Sequence, residues 1–438
     1  PFFLSGVFVF PAVVHPDIPS PVIPYPKINT SVVHSGKYDV LSAGKTYVIL
    51  DRSRGMSISM IGLAEYSEET TNPANAAIEE MSLRVTAKNG AAIREMDQAN
   101  SPDATLRIIA QAPDYAAARA FFSICGADGV PRGNGTLDIY VIPGRVFLIP
   151  SLSIESEPGG TTVTMAEFYC RASGKNVRME VNGSPAQSRE KSQFVRFGED
   201  ADGFRVMIQA PGRPAAMIGW LRNRYPEWMY LNEIDANPET DELYERWPPW
   251  ITQRGALTWK PAESSGFLTE TSEDGMRQMA FLWVNRENYP VPEGRYSRFN
   301  GVMGIFLDQD PERLSQNWNS HERPIKPVMH SGDFRYYSEF EGAYEVNSHG
   351  GDVDMTFDSP AEDRPVFVRI WDLKGKGGYE VRLNGRPVPF GLMNDGDLVE
   401  DPLVSIDHDV LQATGPARTA TVSFTARKGM KTRLTLVR

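Results

Sequence analysis

The stretch "FRVMIQAPGRPAAMIGW", Phe204–Trp220, decides the fold class because the chain repeats its layout. About a hundred residues earlier, Leu106–Phe122 reads "LRIIAQAPDYAAARAFF", and Gln-Ala-Pro again interrupts an apolar run. In the later copy Phe204, Val206 and Ile208 fall on one face, which is the period of a half-buried strand. Proline and glycine then supply a turn, and "AAMIGW" is the returning strand. The sequence therefore predicts two hairpins of one type.

A third copy of this hairpin is predicted at the end of the chain. The segment 420–438 reads "ATVSFTARKGMKTRLTLVR", with its turn at Lys428-Gly429. Two Asn-Gly pairs, Asn182-Gly183 and Asn384-Gly385, lie in "NVRMEVNGSPA" and "YEVRLNGRPVPFG". Asn-Gly favours a type I′ hairpin turn, because both central residues need positive φ. The shared order predicts two copies of one β-sandwich, at about 150–222 and 330–438.

The last of these segments resembles a known class of domains. "RPVFVRIWDLKGKGGYEVRLNGRPV" (364–388), followed by "VSFTARKGMKTRLTL" (422–436), is similar to the galactose-binding-like jelly rolls. Such jelly rolls occur in carbohydrate-binding modules and as accessory domains of glycoside hydrolases. The resemblance covers about a quarter of the chain, and extends loosely to 150–222. It implies an extracytoplasmic setting and sugar binding, and it implies no catalytic residue.

Length and composition favour a β-rich protein of several domains. The chain has 438 residues, with 37 glycines and 33 prolines, a turn content typical of many short strands. We therefore predict an all-β protein of about three tandem sandwiches, jelly-roll or immunoglobulin-like, with a mixed aromatic insert. The predicted limits are an apolar arm at 1–30, sandwiches at 31–149, 150–222 and 330–438, and the insert at 223–329.

Charge and hydropathy restrict the partners. The net charge is −11, and an acidic surface disfavours nucleic acid, whose phosphates need basic contacts. The opening "PFFLSGVFVFPAVV" is apolar for about fourteen residues, too few to span a bilayer, and no longer apolar run follows. This arm is interpreted either as a remnant near a signal peptide or as a segment that docks on another subunit. The second interpretation predicts a homo-oligomer or a larger assembly.

The insert is both aromatic and acidic, a composition that sugar sites use. Six of the eight tryptophans lie between residues 221 and 330. Aromatic rings stack on the apolar face of a pyranose while carboxylates and amides take the hydroxyl groups. The alternative is that these rings fill a core between domains. The residues predicted to bind the ligand are Trp228, Trp247, Trp250, Trp259, Glu233 and Asp235.

Segment 221–345 contains residue types that two catalytic arrangements need. A glycosidase needs paired carboxylates, and the insert supplies Glu227, Glu242 and Glu245 beside the two acids named above. A lyase needs Tyr, His and a basic residue beside a uronate, and "HERPIKPVMHSGDFRYYSEFEGAYEVNSHGG" (321–351) holds three histidines. The alternatives are that the acidic residues form a solvated surface and that segment 321–351 is a polar linker. No Gly-x-Ser-x-Gly motif supports a serine triad.

Two short helices are predicted in the insert. One lies in 237–247 and is capped by Asn237 or Thr240, and the other lies in 310–318, with Asp310 as its cap and Pro311 at the first helical position.

Two smaller features are an acidic loop and a pair of cysteines. The acidic loop "MNDGDLVED" predicts a structural calcium ion at Asp395, Asp397 and Asp401, with Asx-turn chemistry as the alternative. Cys125 and Cys170 lie in strand-like runs. They form either a disulfide in an oxidising compartment or two separate buried thiols.

Together these features favour a secreted, periplasmic or cell-surface protein that binds a polysaccharide or assembles with protein subunits, without catalysis. The alternative is a carbohydrate-active enzyme, a glycoside hydrolase or a polysaccharide lyase, with its site in 221–345. A cleft with two close carboxylates, or a Tyr/His pair beside a basic residue, would favour the enzyme.

Overall fold

The computed structural model confirms an all-β protein. It describes residues 32–64, 72–112, 115–185, 192–196, 204–220, 266–272, 275–291, 296–300, 303–322, 324–338, 343–361, 363–373, 379–389, 403–412 and 415–437. Within these ranges there are thirty strands and one α-helix. None of the described helices is long and apolar enough to cross a membrane.

The strands before the helix are β1 Val32–Ser35, β2 Tyr38–Ala43, β3 Thr46–Asp51, β4 Ser57–Leu63, β5 Ala76–Asn89, β6 Ala92–Asp97, β7 Thr105–Ala112, β8 Tyr115–Gly126, β9 Pro131–Ile142, β10 Arg145–Glu155, β11 Thr161–Lys175, β12 Arg178–Val181, β13 Ser184–Pro185, β14 Ser192–Arg196, β15 Phe204–Gln209, β16 Ala215–Trp220, β17 Gly266–Thr271, β18 Met276–Val291, β19 Tyr296–Asn300 and β20 Met303–Asp308. The helix α1 is Pro311–Glu322, and the strands after it are β21 Pro327–Ser331, β22 Asp333–Ser338, β23 Ala343–Asn347, β24 Val353–Phe357, β25 Arg364–Leu373, β26 Glu380–Leu383, β27 Arg386–Pro387, β28 Leu403–Gln412, β29 Gly415–Ala426 and β30 Thr432–Val437.

The first twenty strands form two layers of antiparallel sheet. In the first layer, hydrogen-bonded neighbours run β1-β2-β3-β4-β5-β11-β18-β17-β14, with β6 beside the second half of β5. In the second layer they run β7-β8-β9-β10-β20-β16-β15-β12-β13, with β19 continuing β20 along β10. A short β6–β8 pairing joins the layers.

One apolar core lies between these layers. It takes alternate residues from both, such as Leu83 and Phe168 from the first layer and Ile139 and Ile218 from the second, all fully buried. Strand β10 contains residue 150, where a boundary between two sandwiches is predicted, and it pairs with β9, β19 and β20. The number and limits of independently folding domains stay a prediction.

The two Gln-Ala-Pro stretches form hairpins, as predicted. β7 pairs antiparallel with β8, and β15 pairs antiparallel with β16 in a register that places Phe204 opposite Trp220. Both hairpins lie in the second layer. The repeated sequence segment thus forms two hairpins of one antiparallel sheet.

Both Asn-Gly pairs also form the predicted turns. Asn182 and Gly183 have φ of 50° and 78°, and Asn384 and Gly385 have φ of 50° and 81°. Each asparagine makes the same contact with a neighbouring strand: Asn182 Oδ1 accepts from the Arg205 N–H at 3.0 Å, and Asn384 Oδ1 accepts from the Arg433 N–H at 2.9 Å. The internal repeat is therefore real at the level of this turn and its neighbouring strand.

The prediction of a third hairpin at 420–438 is wrong. The turn at Lys428-Gly429 exists, but β29 pairs with β25 and β28, whereas β30 pairs with β24 and β26. The turn therefore crosses between the sheets β21-β24-β30-β26-β27 and β22-β23-β25-β29-β28. These two sheets enclose a second apolar core, with Phe424 on one side and Leu434 on the other. A β-sandwich after the helix is confirmed.

Helix α1 begins where the sequence predicts. Asp310 Oδ1 accepts from the Glu312 N–H at 2.9 Å, as an N-cap does, and Pro311 follows at the first helical position. Trp318 of α1 is fully buried, with its ring 5.0 Å from that of Phe306 on β20. The helix thus covers the outer side of the second layer. The other predicted helix, in 237–247, lies outside the described residues.

The cysteines are two separate buried thiols. Cys125 on β8 and Cys170 on β11 are both free and fully buried. Burial raises the pKa of each thiol, so both stay protonated and unreactive at neutral pH. Of the two interpretations of the cysteines, the structure supports the one without a disulfide.

Candidate functional site: a polar face on the first layer

All the residues predicted to bind a ligand lie outside the described part of the chain. This holds for Trp228, Trp247, Trp250, Trp259, Glu233 and Asp235, for the catalytic candidates Glu227, Glu242 and Glu245, for Asp395, Asp397 and Asp401, and for the arm at 1–30. These assignments stay predictions. The described residues do fix where the aromatic segment 221–265 rejoins the sheet, at the first residue of β17.

That junction lies in register with a row of charged side chains. Gly266 is paired with Leu282, Leu282 with Glu167, Glu167 with Arg84, and Arg84 with Asp97. Adjacent strands are about 4.8 Å apart, so Gly266 lies roughly 10 Å from Glu167 across the sheet. The first described residue after the aromatic segment therefore lies two strands from the Glu167 carboxylate and three strands from Arg84.

Three rows of side chains, each of which crosses the strands of the first layer in this way, form one surface that we call the polar face. It consists of the side chains of β5, β6, β11, β18 and β17 that point away from the core, since their neighbours Leu83, Met96, Phe168, Phe281 and Phe267 point into it. The first row is Asp97, Arg84, Glu167 and Leu282; the second is Ser82, Tyr169, Ala280 and Leu268; the third is Glu80, Arg171, Gln278 and Glu270.

The first row holds an acid with an altered pKa. Glu167 is only 6% exposed. Burial raises its pKa to about 7; Arg84 opposes this, and the negative charges of Asp97 and Glu270 add to it. Arg84 is positioned by Asp97, whose Oδ2 accepts from Arg84 Nε at 2.8 Å. Near neutral pH the Glu167 carboxyl group is thus divided between its protonated and ionised forms, as a general acid or base requires.

The third row is an ion-pair network. Arg54 Nη2 donates to Glu80 Oε1 at 2.5 Å, and Arg171 Nη1 lies 3.8 Å from Glu80 Oε2. Arg171 Nη2 lies 3.8 Å from Glu79 Oε2, so this guanidinium is shared between two carboxylates. Glu270, at the end of the row on β17, is exposed. The row ends in a carboxylate that solvent and ligands reach.

The middle row is aromatic and apolar. Tyr169 stands between Ser82 and Ala280, and Leu268 follows on β17. The guanidinium carbon of Arg84 lies 3.4 Å from the centroid of the Tyr169 ring, so a cation–π contact links the first two rows. Each row crosses four strands at 4.8 Å spacing and is therefore about 14 Å long. Ser82, Tyr169 and Ala280 are buried, so the apolar side chain of this row that reaches the surface is that of the half-buried Leu268.

Sequence reasoning missed the polar face. The available signal was a pair of charged residues four positions apart in each of two long strand-like runs, Glu80 to Arg84 and Glu167 to Arg171. About eighty residues separate these runs along the chain. Only the β5–β11 pairing brings them together.

The three histidines of the predicted Tyr/His group do not converge. His330 is exposed, with Nε2 2.9 Å from Thr356 Oγ1, and His349 is exposed, with Nε2 2.7 Å from Asp333 Oδ2. His321 is buried in α1, where burial and then Arg145 hold its pKa well below the ordinary value. Its ring centroid lies 6.4 Å from that of Tyr337. A Tyr/His pair beside an arginine exists, but it is closed off from a polymer.

Comparison with known proteins gives only distant likenesses. No protein-family model and no curated protein sequence matches the chain. Among solved structures, a polysaccharide lyase is 9% identical over 89% of this chain and 45% of its own, with a TM-score of 0.32. An α-galactosidase from Geobacillus stearothermophilus is 8% identical over 68% of this chain and 44% of its own, with a TM-score of 0.42.

A galactose mutarotase-like protein from Clostridium acetobutylicum is 7% identical over 62% of this chain and 95% of its own, with a TM-score of 0.34. This chain spans less than half the length of the lyase and the galactosidase. Because every one of these TM-scores is below 0.5, we draw nothing about the site or the activity from them.

Proposed function

We propose that this protein binds a carbohydrate on the polar face, and that segment 221–265 supplies aromatic rings to the same site. The observation that carries the proposal is the register of the sheet. It brings the end of a tryptophan-rich segment to the row that contains Glu167 and Arg84.

The chemistry of the polar face suits sugar hydroxyl groups. Carboxylate oxygens accept hydrogen bonds and guanidinium groups donate from a fixed fork. The outer rows are four residues apart along the strands, about 13 Å, so they would bind hydroxyl groups of different sugar units of one polysaccharide. Leu268, which is half-buried, offers apolar surface to the C–H face of a sugar unit between them. Charge-assisted bonds of this kind contribute about 1.5–3 kcal/mol each. A few of them are enough for specific binding.

A second candidate function is catalysis at the same face, and the pKa of Glu167 is the observation that favours it. A carboxyl group with a pKa of about 7 holds a proton at neutral pH and can deliver it to a glycosidic oxygen. The loss of the proton leaves a carboxylate near Arg84, which stabilises the charge. Catalysis would then depend on Glu167 in a way that binding does not.

Affinity electrophoresis against a panel of soluble polysaccharides, with reducing ends assayed in the same samples, tests both functions. Retardation without release supports a binding protein. Retardation with release supports an enzyme, and Glu167→Gln should then remove the release and keep the retardation. If no polysaccharide on the panel is retarded, the binding proposal is contradicted.

We further infer that the protein works outside the cytoplasm, on a cell surface, in a periplasm or in a secreted form. The support is chemical, because the polysaccharides that such a face would bind are largely extracellular. Fractionation of the source cells tests this. Recovery of the protein in the cytoplasmic fraction alone would contradict it.

A further inference from the structure

A small pocket lies at the joint between the first two layers, helix α1 and the second sandwich. Its polar lining comes from all three: Arg145 from β10, Ser320 and His321 from α1, and Tyr337, Tyr344 and Arg364 from the second sandwich. The space between these side chains admits one small ion or a molecule of a few atoms. The pocket is too small for a sugar ring and is separate from the polar face.

Arg145 is a buried cation that faces this pocket. It is 3% exposed, and its guanidinium carbon lies 5.0 Å from the Phe306 centroid and 4.4 Å from the Phe367 centroid. Its buried Nη1 has no hydrogen-bond partner among the described residues. Burial lowers the pKa of Arg145 to about 10, so the side chain still carries its charge at neutral pH.

His321 adds neutral polarity beside that charge. Its ring is 3% exposed and stacks on Phe147 at 5.6 Å, and within the described part of the chain neither ring nitrogen has a partner. Burial, and then the neighbouring Arg145, lower the pKa of His321 well below its ordinary value, so the ring is neutral. One of its nitrogens therefore offers an N–H donor without adding a second charge.

We propose that this pocket binds a small monovalent anion, either a halide or a small carboxylate such as formate. A buried cation with an unmade hydrogen bond is strongly unfavourable, and one negative charge would neutralise it. Arg145 and the His321 N–H donate to the anion. Because the lining comes from both sandwiches and from α1, the bound anion holds the joint together.

Thermal unfolding at constant ionic strength provides the first test. Sodium gluconate, too large for the pocket, is replaced stepwise by sodium chloride in one series and by sodium formate in another. The wild type should gain about 3–6 °C in Tm at a hundredfold excess over Kd. The series with the larger gain distinguishes a halide site from a carboxylate site.

The variant Arg145→Met should lose this response and, in gluconate, should melt above the wild type, because methionine fills the space between the two phenylalanine rings without a charge. The exposed Arg382→Met serves as the matched control and should respond like the wild type. An equal response in the wild type and Arg145→Met would overturn the proposal, because the anion would then act elsewhere.

A second measurement needs no variant. Crystals of the wild type soaked in sodium bromide should show an anomalous difference peak for bromide within contact distance of Arg145 Nη1. Added formate should displace the bromide and remove the peak. The absence of a peak in the pocket, together with equal melting in gluconate, chloride and formate, would also overturn the proposal. A water molecule or a group of the chain itself would then fill the pocket.

Discussion

Replacement of Glu167 by glutamine keeps the shape of the side chain and removes its titration. Burial raises the pKa of this carboxyl group from an ordinary 4.5 to about 7 in the folded protein. The folded state then binds its proton more tightly than the unfolded chain. The stabilisation of the folded state by protonated Glu167 is complete below pH 4.5 and is lost as the pH rises through 7. The difference of about 2.5 between the two pKa values corresponds to about 3 kcal/mol.

Urea unfolding of the wild type and Glu167→Gln between pH 4.5 and 8 measures this difference. As the pH rises from 4.5 to 8, the free energy of unfolding of the wild type should fall by about 3 kcal/mol relative to that of Glu167→Gln. Glu157→Gln is a control of opposite sign. Burial raises the pKa of Glu157, but hydrogen bonds from Asn89 and Arg132 outweigh it and hold the pKa below its usual value.

The stability that Glu157 provides is therefore present above pH 4.5 and is lost as the pH falls. Glu157→Gln should be less stable than the wild type at pH 6–8, with a gap that closes toward acid. Parallel pH profiles for the wild type and Glu167→Gln would refute the altered pKa, and with it the acid proposed for catalysis.

Three further outcomes are expected. Gly183→Val and Gly385→Val should each lower the free energy of unfolding by roughly 1–2 kcal/mol, because valine resists φ near +80° even though no atom lies within 4 Å of the added Cβ. Calorimetry should show lower Tm values for both variants, whereas Gly351→Ala, whose added Cβ makes only an ordinary contact, should melt like the wild type. Asp310→Ala should lose about 1 kcal/mol in urea unfolding by removing the cap of α1, and Asp310→Asn should retain most of the stability; equal losses would reject the cap. If the predicted calcium ion is bound, EGTA should lower the Tm of the wild type and leave that of Asp395→Asn unchanged.

The local structure was largely predictable from the sequence. Alternation and Asn-Gly pairs specify strands and tight turns through contacts a few residues apart, and they predicted two hairpins and both turns. Asp310 followed by Pro311 predicted the start of α1. The third hairpin failed because alternation reports which residues face a core and not which strand is the hydrogen-bonded neighbour. Phe424 and Leu434 both face the second core, but they approach it from opposite sheets.

The candidate site was beyond sequence reasoning for the same reason. Glu167 meets Arg84 through pairing between β5 and β11, and its high pKa arises from burial, which no local pattern encodes. The predicted aromatic and acidic ligands lie outside the described residues, so they stay predictions. What the structure adds is the place where their segment rejoins the sheet, next to Leu282 and in register with Glu167.

The central claim is tested most directly by a binding titration with a polysaccharide that retards the protein in electrophoresis. The titration is carried out with the wild type, Arg171→Met and Arg382→Met. Arg171 lies in the third row of the polar face, whereas Arg382 is an exposed arginine on β26 of the second sandwich. Loss of a charge-assisted hydrogen bond should weaken binding of Arg171→Met about tenfold or more. Arg382→Met should bind like the wild type. If Arg171→Met retains the affinity of the wild type, or if Arg382→Met loses as much, the carbohydrate does not bind on the polar face.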